Sequence, residues 1–183
     1  MKIDFNFEKR RIKSFAVSML LTTLLIVIDQ LTKAIATDKL KGKPPVPVIE
    51  GVFQFRYLTN PGAAFGSLEN SRWVFMSFST LAIIVMLGYL FYAAFVNEQT
   101  KLYTLSVATI LAGGVGNMID RTFYGDKLFQ GEVVDFLDFC LIDFAVFNFA
   151  DSCVCVGAGL LILALVLDII KESRAAKDKG KAK

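Results

Sequence analysis

Apolar residues dominate four long stretches of this chain, and the polar residues gather in the segments between them. The stretches cover 14–36, 73–96, 102–119 and 147–170. Each is long enough to cross a hydrocarbon layer of about 30 Å as a helix. The second holds no charge between Arg72 and Glu98, and the first keeps its charges toward one end. The pattern predicts four membrane-spanning helices. A different period follows the first of them, where Phe53, Phe55 and Tyr57 alternate with Gln54 and Arg56. Alternation of that kind predicts a half-buried strand, with Pro44, Pro45 and Pro47 stiffening its approach. Such a strand could lie on lipid, cover a site, or form a plain hairpin packed on helix ends.

Composition agrees with the spans. Of 183 residues, 55% are hydrophobic, and the mean hydropathy is +0.54, too apolar for a soluble domain. We expect one four-span unit over 1–171 and a basic, disordered tail over 172–183, the only stretch of low complexity. No internal repeat is visible.

Charge placement sets an orientation. Lys2, Lys9, Arg10, Arg11 and Lys13 precede the first span, and Lys171, Arg174, Lys177, Lys179, Lys181 and Lys183 follow the fourth. Lysine and arginine concentrate on the cytoplasmic side, so both termini and the 97–101 turn are expected inside. Segments 37–72 and 120–146 then lie outside. The second of these is acidic, with Asp126, Glu132, Asp135, Asp138 and Asp143 against Arg121 and Lys127. The formal charge of +3 therefore follows membrane topology rather than nucleic-acid binding. The first span could be mistaken for a cleaved signal peptide ending at Ala34-Ile35-Ala36. Asp29-Gln30-Leu31-Thr32-Lys33 interrupts the approach to that cleavage site with polar groups, so the span is kept.

The chain has no histidine. Cys140, Cys153 and Cys155 form no metal pattern, since residues two apart on a helix point about 200° away from each other. Cys153 and Cys155 are expected to be small apolar fillers of the fourth span.

Several short motifs lie at the outer edge. Thr59-Asn60-Pro61-Gly62 is a turn followed by small residues, and the Asn60 amide suits holding an extended peptide. Ala112 and Gly116 have the four-residue spacing that permits close helix approach. Asn117 and Arg121 share a helix face, either to orient a substrate or to let Arg121 snorkel to phosphates. Asp29 and Lys33, also four apart, can neutralise each other as a structural ion pair. Asn148 and Asp151 resemble a capping box. Asp135, in Val133-Val134-Asp135-Phe136, and Asp151 are the notable acids. A carboxylate in a membrane helix centre costs about 2.5–3.5 kcal/mol, so such a group needs a partner or a task. Facing each other in a dry site, the two would share a proton and activate water for peptide hydrolysis. Each could instead simply cap a helix or stay solvated. Two other chemistries remain open: a Ser-Lys peptidase using Lys33 and Ser67, and a non-enzymatic membrane carrier or ion-binding protein using Asp29 and Asp151.

Together the blocks Asp29-Gln30-Leu31-Thr32-Lys33, Asn60-Pro61-Gly62-Ala63-Ala64-Phe65, Gly116-Asn117-Met118-Ile119-Asp120-Arg121, Val133-Val134-Asp135-Phe136 and Phe147-Asn148-Phe149-Ala150-Asp151-Ser152 resemble a known family. They stand in the order found in the bacterial lipoprotein signal peptidases, signal peptidase II. The resemblance implies four transmembrane helices, a small extracytoplasmic β-cradle and an interfacial helix in a bacterial inner-membrane protein. It implies aspartic proteolysis without metal or cofactor, cutting just before the lipidated cysteine of diacylglyceryl-modified prolipoproteins. By the same resemblance Asp135 and Asp151 are the catalytic dyad. Asn60, Gly62, Asn117, Arg121 and Asn148 contact or support substrate, and Asp29 and Lys33 are structural. The expected partners are prolipoprotein and membrane phospholipid, not nucleic acid, and a monomer is expected. Two features depart from the family. The 122–132 stretch is longer than usual, and Cys153 and Cys155 stand where small or hydroxyl residues are expected.

Overall fold

A computed structural model describes residues 5–61, 72–96 and 100–181. Four helices dominate it: α1 (Phe5–Leu40), α2 (Arg72–Phe95), α3 (Lys101–Phe123) and α4 (Phe149–Lys181). All four are long and apolar enough to cross a membrane. Three strands complete the fold: β1 (Val46–Ile49), β2 (Phe53–Asn60) and β3 (Val133–Asp138). Gly62, Ser67 and the rest of the turn after Pro61 lie outside the described residues, as does part of the 97–101 turn.

The helices outrun the stretches that hydropathy marked. α1 has 36 residues, about 54 Å of helix, and so extends well beyond the bilayer core. α3 continues to Phe123, which makes Asp120 and Arg121 helical. α4 continues to Lys181, into the tail expected to be disordered. Good helix formers there, Ala175, Ala176 and Lys177, extend a helix already nucleated in the span.

α3 is the central helix and contacts the other three. Its packing depends on small residues. A Cβ on Gly113 would collide with the Ala150 carbonyl of α4, and one on Gly157 of α4 would come within 2.6 Å of Ile110. Gly116 was expected to allow close approach together with Ala112. A Cβ there would lie 2.5 Å from Asp29 Oδ2. Gly116→Ala is therefore expected to destabilise the fold by about 1–3 kcal/mol, an overpacking effect, while Gly159→Ala, which meets nothing within 4 Å, should not. Melting of the two variants in detergent checks this, and equal melting would refute it.

The strands form one antiparallel sheet in the order β1-β2-β3. β2 is the strand predicted from Phe53, Phe55 and Tyr57. Val134 and Phe136 of β3 pack with Ala36 of α1, and Leu40, Phe55 and Tyr57 close the cluster. The sheet thus covers the C-terminal end of α1. β1 supplies the partner strand of the hairpin reading, but the prolines read as a stiff approach rather than as part of it: Pro47 pairs with Gln54 in the edge strand, where proline is tolerated. Asp135 likewise stands on a strand rather than at a helix end, in register with Leu58.

The long 122–132 stretch closes on itself. Phe129 N–H donates to the Thr122 carbonyl (2.9 Å) and Gly131 N–H to the Arg121 carbonyl (3.0 Å), with Phe129 at φ +64°. The extra residues form a loop pinned to the end of α3, and β3 starts two residues after Gly131.

Candidate active site

Three neighbouring asparagines and two aspartates converge where β3 meets the C-terminal end of α3 and the N-terminal end of α4. Asn148 is fully buried and precedes α4, as the capping pattern predicts. Its Oδ1 accepts Asp151 N–H at 3.0 Å, and its own N–H donates to Asp151 Oδ2 at 3.1 Å. That reciprocal pair satisfies two donors at the helix start and fixes the Asp151 carboxylate. With its Oδ1 committed, Asn148 must aim its amide Nδ2 elsewhere. The Nδ2 donates to Asp135 Oδ1 at 2.7 Å and to Asn117 Oδ1 at 3.0 Å. Asn117 in turn donates from Nδ2 to Asp151 Oδ1 at 2.8 Å. Asn60, at the end of β2, donates to Asp135 Oδ2 at 3.3 Å. Both acids are thus held by asparagine amides, and one residue, Asn148, touches both.

Their surroundings differ. Asp135 is only 2% exposed, whereas Asp151 is half-buried. Burial first, and the charge of Asp151 second, push the Asp135 carboxyl up to about 6, against the hydrogen bonds from Asn148 and Asn60 and the charge of Lys33. One acid is thus primed to hold a proton and its partner is within reach of water, a division of labour suited to acid–base work.

Beneath the pair lies a buried ionic cluster. Lys33 Nζ is 2.9 Å from Asp29 Oδ2, 2.8 Å from Asp120 Oδ2 and 2.8 Å from Asn117 Oδ1. The Asp29–Lys33 pair was legible at i, i+4. Asp120 and Gln30 were not singled out, although Gln30 Nε2 bonds both aspartates, Asp29 Oδ2 at 3.1 Å and Asp120 Oδ1 at 3.0 Å. A signal did exist, since Asp120 shares the Gly116–Asn117 face one turn on. Lys33 spends its three N–H donors on these acceptors, which removes it as the free base of a Ser-Lys pair.

Arg121 shares its helix face with Asn117, as expected, but turns toward α2. Its guanidinium lies 4.5 Å over the Phe75 ring and donates to the Asn117 carbonyl at 3.3 Å. Cys153 is a buried filler, whereas Cys155 and Cys140 are exposed.

The family model described as signal peptidase (SPase) II matches residues 21–167. This chain belongs to the signal peptidase II family. Among its relatives, the lipoprotein signal peptidase of Symbiobacterium thermophilum is 40% identical over 82% of this chain and 94% of its own. The one from Brevibacillus brevis is 36% identical over 81% and 94%. A bacterial membrane enzyme solved by the in meso method at 2.3 Å resolution is 30% identical, with a TM-score of 0.71 over 84% of this chain and 90% of that one. Membership in the signal peptidase II family and the four apolar helices make this a multi-pass protein of the bacterial inner membrane. The four-helix, three-strand fold follows the solved enzyme, and the residues 21–167 matched to signal peptidase II contain both acids and all three asparagines.

Proposed function

We propose that this chain is an aspartic endopeptidase that removes the signal peptide from diacylglyceryl-modified prolipoproteins, cutting just before the lipidated cysteine. The observation that carries the chemistry is the pair Asp135 and Asp151, joined through Asn148 and differing in burial. Asp151, the more accessible acid, takes a proton from water, and the resulting hydroxide attacks the scissile carbonyl. Protonated Asp135 donates to the carbonyl oxygen as it becomes tetrahedral. Collapse breaks the C–N bond, and the proton held on Asp151 passes to the leaving amine while Asp135 recovers its own from the closing oxygen. Asn60, Asn117 and Asn148 keep the two carboxylates oriented, and Asn60, Gly62 and Arg121 are the proposed contacts to substrate. The substrate lipid sits in the outer leaflet, so its scissile bond reaches the depth at which the two acids are held. A monomer suffices, because both acids come from one chain.

The test is cleavage of a purified diacylglyceryl-modified prolipoprotein, beside its unlipidated form. Cleavage of the lipidated form alone, insensitive to chelators and to serine-directed reagents, is the expected outcome. Equal cleavage of both forms would remove lipid recognition from the proposal.

The pH dependence follows from Asp135. A carboxyl raised to about 6 keeps its proton to higher pH than an ordinary aspartate, and loses it as pH rises through that value. Since protonated Asp135 is the acid, kcat/KM should decline above about pH 6, approaching tenfold per pH unit. The limb in kcat should lie higher, because bound substrate displaces water from around the pair and further disfavours a second negative charge there. A flat profile from pH 5 to 9 would contradict the assignment of the proton.

For orientation, we propose that the basic termini are cytoplasmic and the site lies near the outer face. Cysteines introduced at 39–43 should react with impermeant reagents from outside. Reaction at the C-terminal tail instead would invert the topology.

A further inference from the structure

Asp120 and Asp29 are buried carboxylates, each about 1% exposed, and neither touches Asp135 or Asp151 through its side chain. Each nevertheless accepts the backbone N–H of the residue just before one of those acids. Asp29 Oδ1 accepts from Ala150 N–H at 3.0 Å, next to Asp151. Asp120 Oδ2 accepts from Val134 N–H at 3.4 Å, next to Asp135. Lys33 lies between the two, bonded to both, and its third contact is Asn117 Oδ1. That contact decides the orientation of the Asn117 amide. An ammonium only donates, so Asn117 must present Oδ1 to Lys33 and Nδ2 to Asp151. On one side this cluster borders a cavity of about 330 Å³ lined by Gln30, Lys33, Asp120, Tyr124 and Val134 among others.

We propose that Asp29, Lys33 and Asp120 form a positioning triad that sets the separation of the two catalytic aspartates. α1 supplies Asp29 and Lys33, α3 supplies Asp120 and Asn117, and through them β3 and α4 are held at one spacing. The triad acts through Val134 N–H, Ala150 N–H and Asn117, and does not itself meet substrate. A water held between two acids requires their spacing to be kept closely, and a displacement of about 1 Å can cost on the order of 10²-fold in rate.

This inference rests on the dyad reading, and the two fail differently. If Asp135→Asn or Asp151→Asn still cleaves, the dyad itself is wrong. If those variants are inactive and the triad variants are fully active, only the positioning role falls. The decisive variant is Asp120→Asn in the full chain, assayed on the lipidated prolipoprotein. Asparagine matches the shape but has one acceptor oxygen where the carboxylate has two: facing Lys33 and Val134 N–H, it sets its own NH2 against the Gln30 amide, and turned the other way it sets that NH2 against Lys33 and Val134 N–H. We expect kcat to fall by tenfold or more, up to the order of 10², with KM little changed. A second readout separates positioning from loss of fold. The charged groups facing Asp135 are Asp151 from α4 and Lys33 from α1, with neutral Asn60 and Asn148 beside them. Removing the anion at 120 leaves Lys33 less neutralised, so the alkaline limb of kcat/KM should move to lower pH. Lower membrane yield with parental turnover and a parental limb in the surviving protein would overturn the proposal. Should Asp120→Asn not accumulate, Lys33→Arg keeps the charge while moving the donors away from Asn117 Oδ1. A tenfold fall in kcat at unchanged melting temperature supports the triad, and parental kcat in that variant refutes it.

Discussion

Asp135→Asn and Asp151→Asn are each expected to abolish measurable cleavage while the protein stays folded. Asparagine keeps the size and much of the hydrogen bonding of aspartate but cannot exchange a proton, so it removes chemistry rather than packing. A general acid or base contributes about 10²–10⁴-fold. Groups that act as one unit lose nearly everything with the first deletion, so the double variant should be scarcely worse than either single one. Stability should move the other way at Asp135. Its folded pKa of about 6 lies above the ordinary 3.8, so the ionised group opposes folding. That cost is absent below pH 3.8 and complete above pH 6, on the order of 3 kcal/mol at most. Asp135→Asn is therefore expected to melt no lower than the parent at pH 8. Substantial turnover in either variant, at parental melting temperature, would remove the dyad from the mechanism.

What the sequence disclosed about this site follows the range of the interactions. Asn148 with Asp151, and Asp29 with Lys33, are local pairs whose spacing on a helix fixes their meeting, so both were legible before any fold was known. The four spans were legible because lipid demands long apolar helices, although their ends were not, since hydropathy marks the bilayer and not where a helix stops. Phe53, Phe55 and Tyr57 announced β2 by alternation. β3 gave no such signal: its first four residues and Asp138 are all buried, so apolar and polar residues do not alternate along it. The Asp120–Lys33 contact joins positions 87 residues apart by number, and only the packing of α1 on α3 creates it. The pairing of β2 with β3, which brings Asn60 to Asp135, belongs to the same long-range class. The resemblance to signal peptidase II linked Asn60, Asn117 and Asn148 to one site. The hydrogen bonds that tie Asn148 to Asn117, and the three asparagines to the acids, arise only once β2, β3, α3 and α4 pack together.

Those bonds single out Asn148 for the second large effect. Asn148→Ala should lower cleavage by 10²-fold or more and also destabilise the protein, and the two losses have separable causes. The side-chain oxygen caps α4 through Asp151 N–H, a contact whose removal typically costs about 1 kcal/mol. The side-chain amide holds Asp135 Oδ1 and Asn117 Oδ1, and no other residue bridges the two acids in this way among the described residues. Asn148→Ser tests the division, because a serine hydroxyl can still cap the helix but is too short to span to Asp135. Serine should therefore restore most of the melting temperature lost in Asn148→Ala and little of the turnover. The pH profile supplies a third check. The Asn148 hydrogen bond favours ionised Asp135 and is the first of the influences holding its pKa down. Its loss raises that pKa, so any residual activity in both variants should persist to higher pH than in the parent. Recovery of full turnover in Asn148→Ser would show that Asn148 serves the helix alone, and that the two aspartates find their geometry without it.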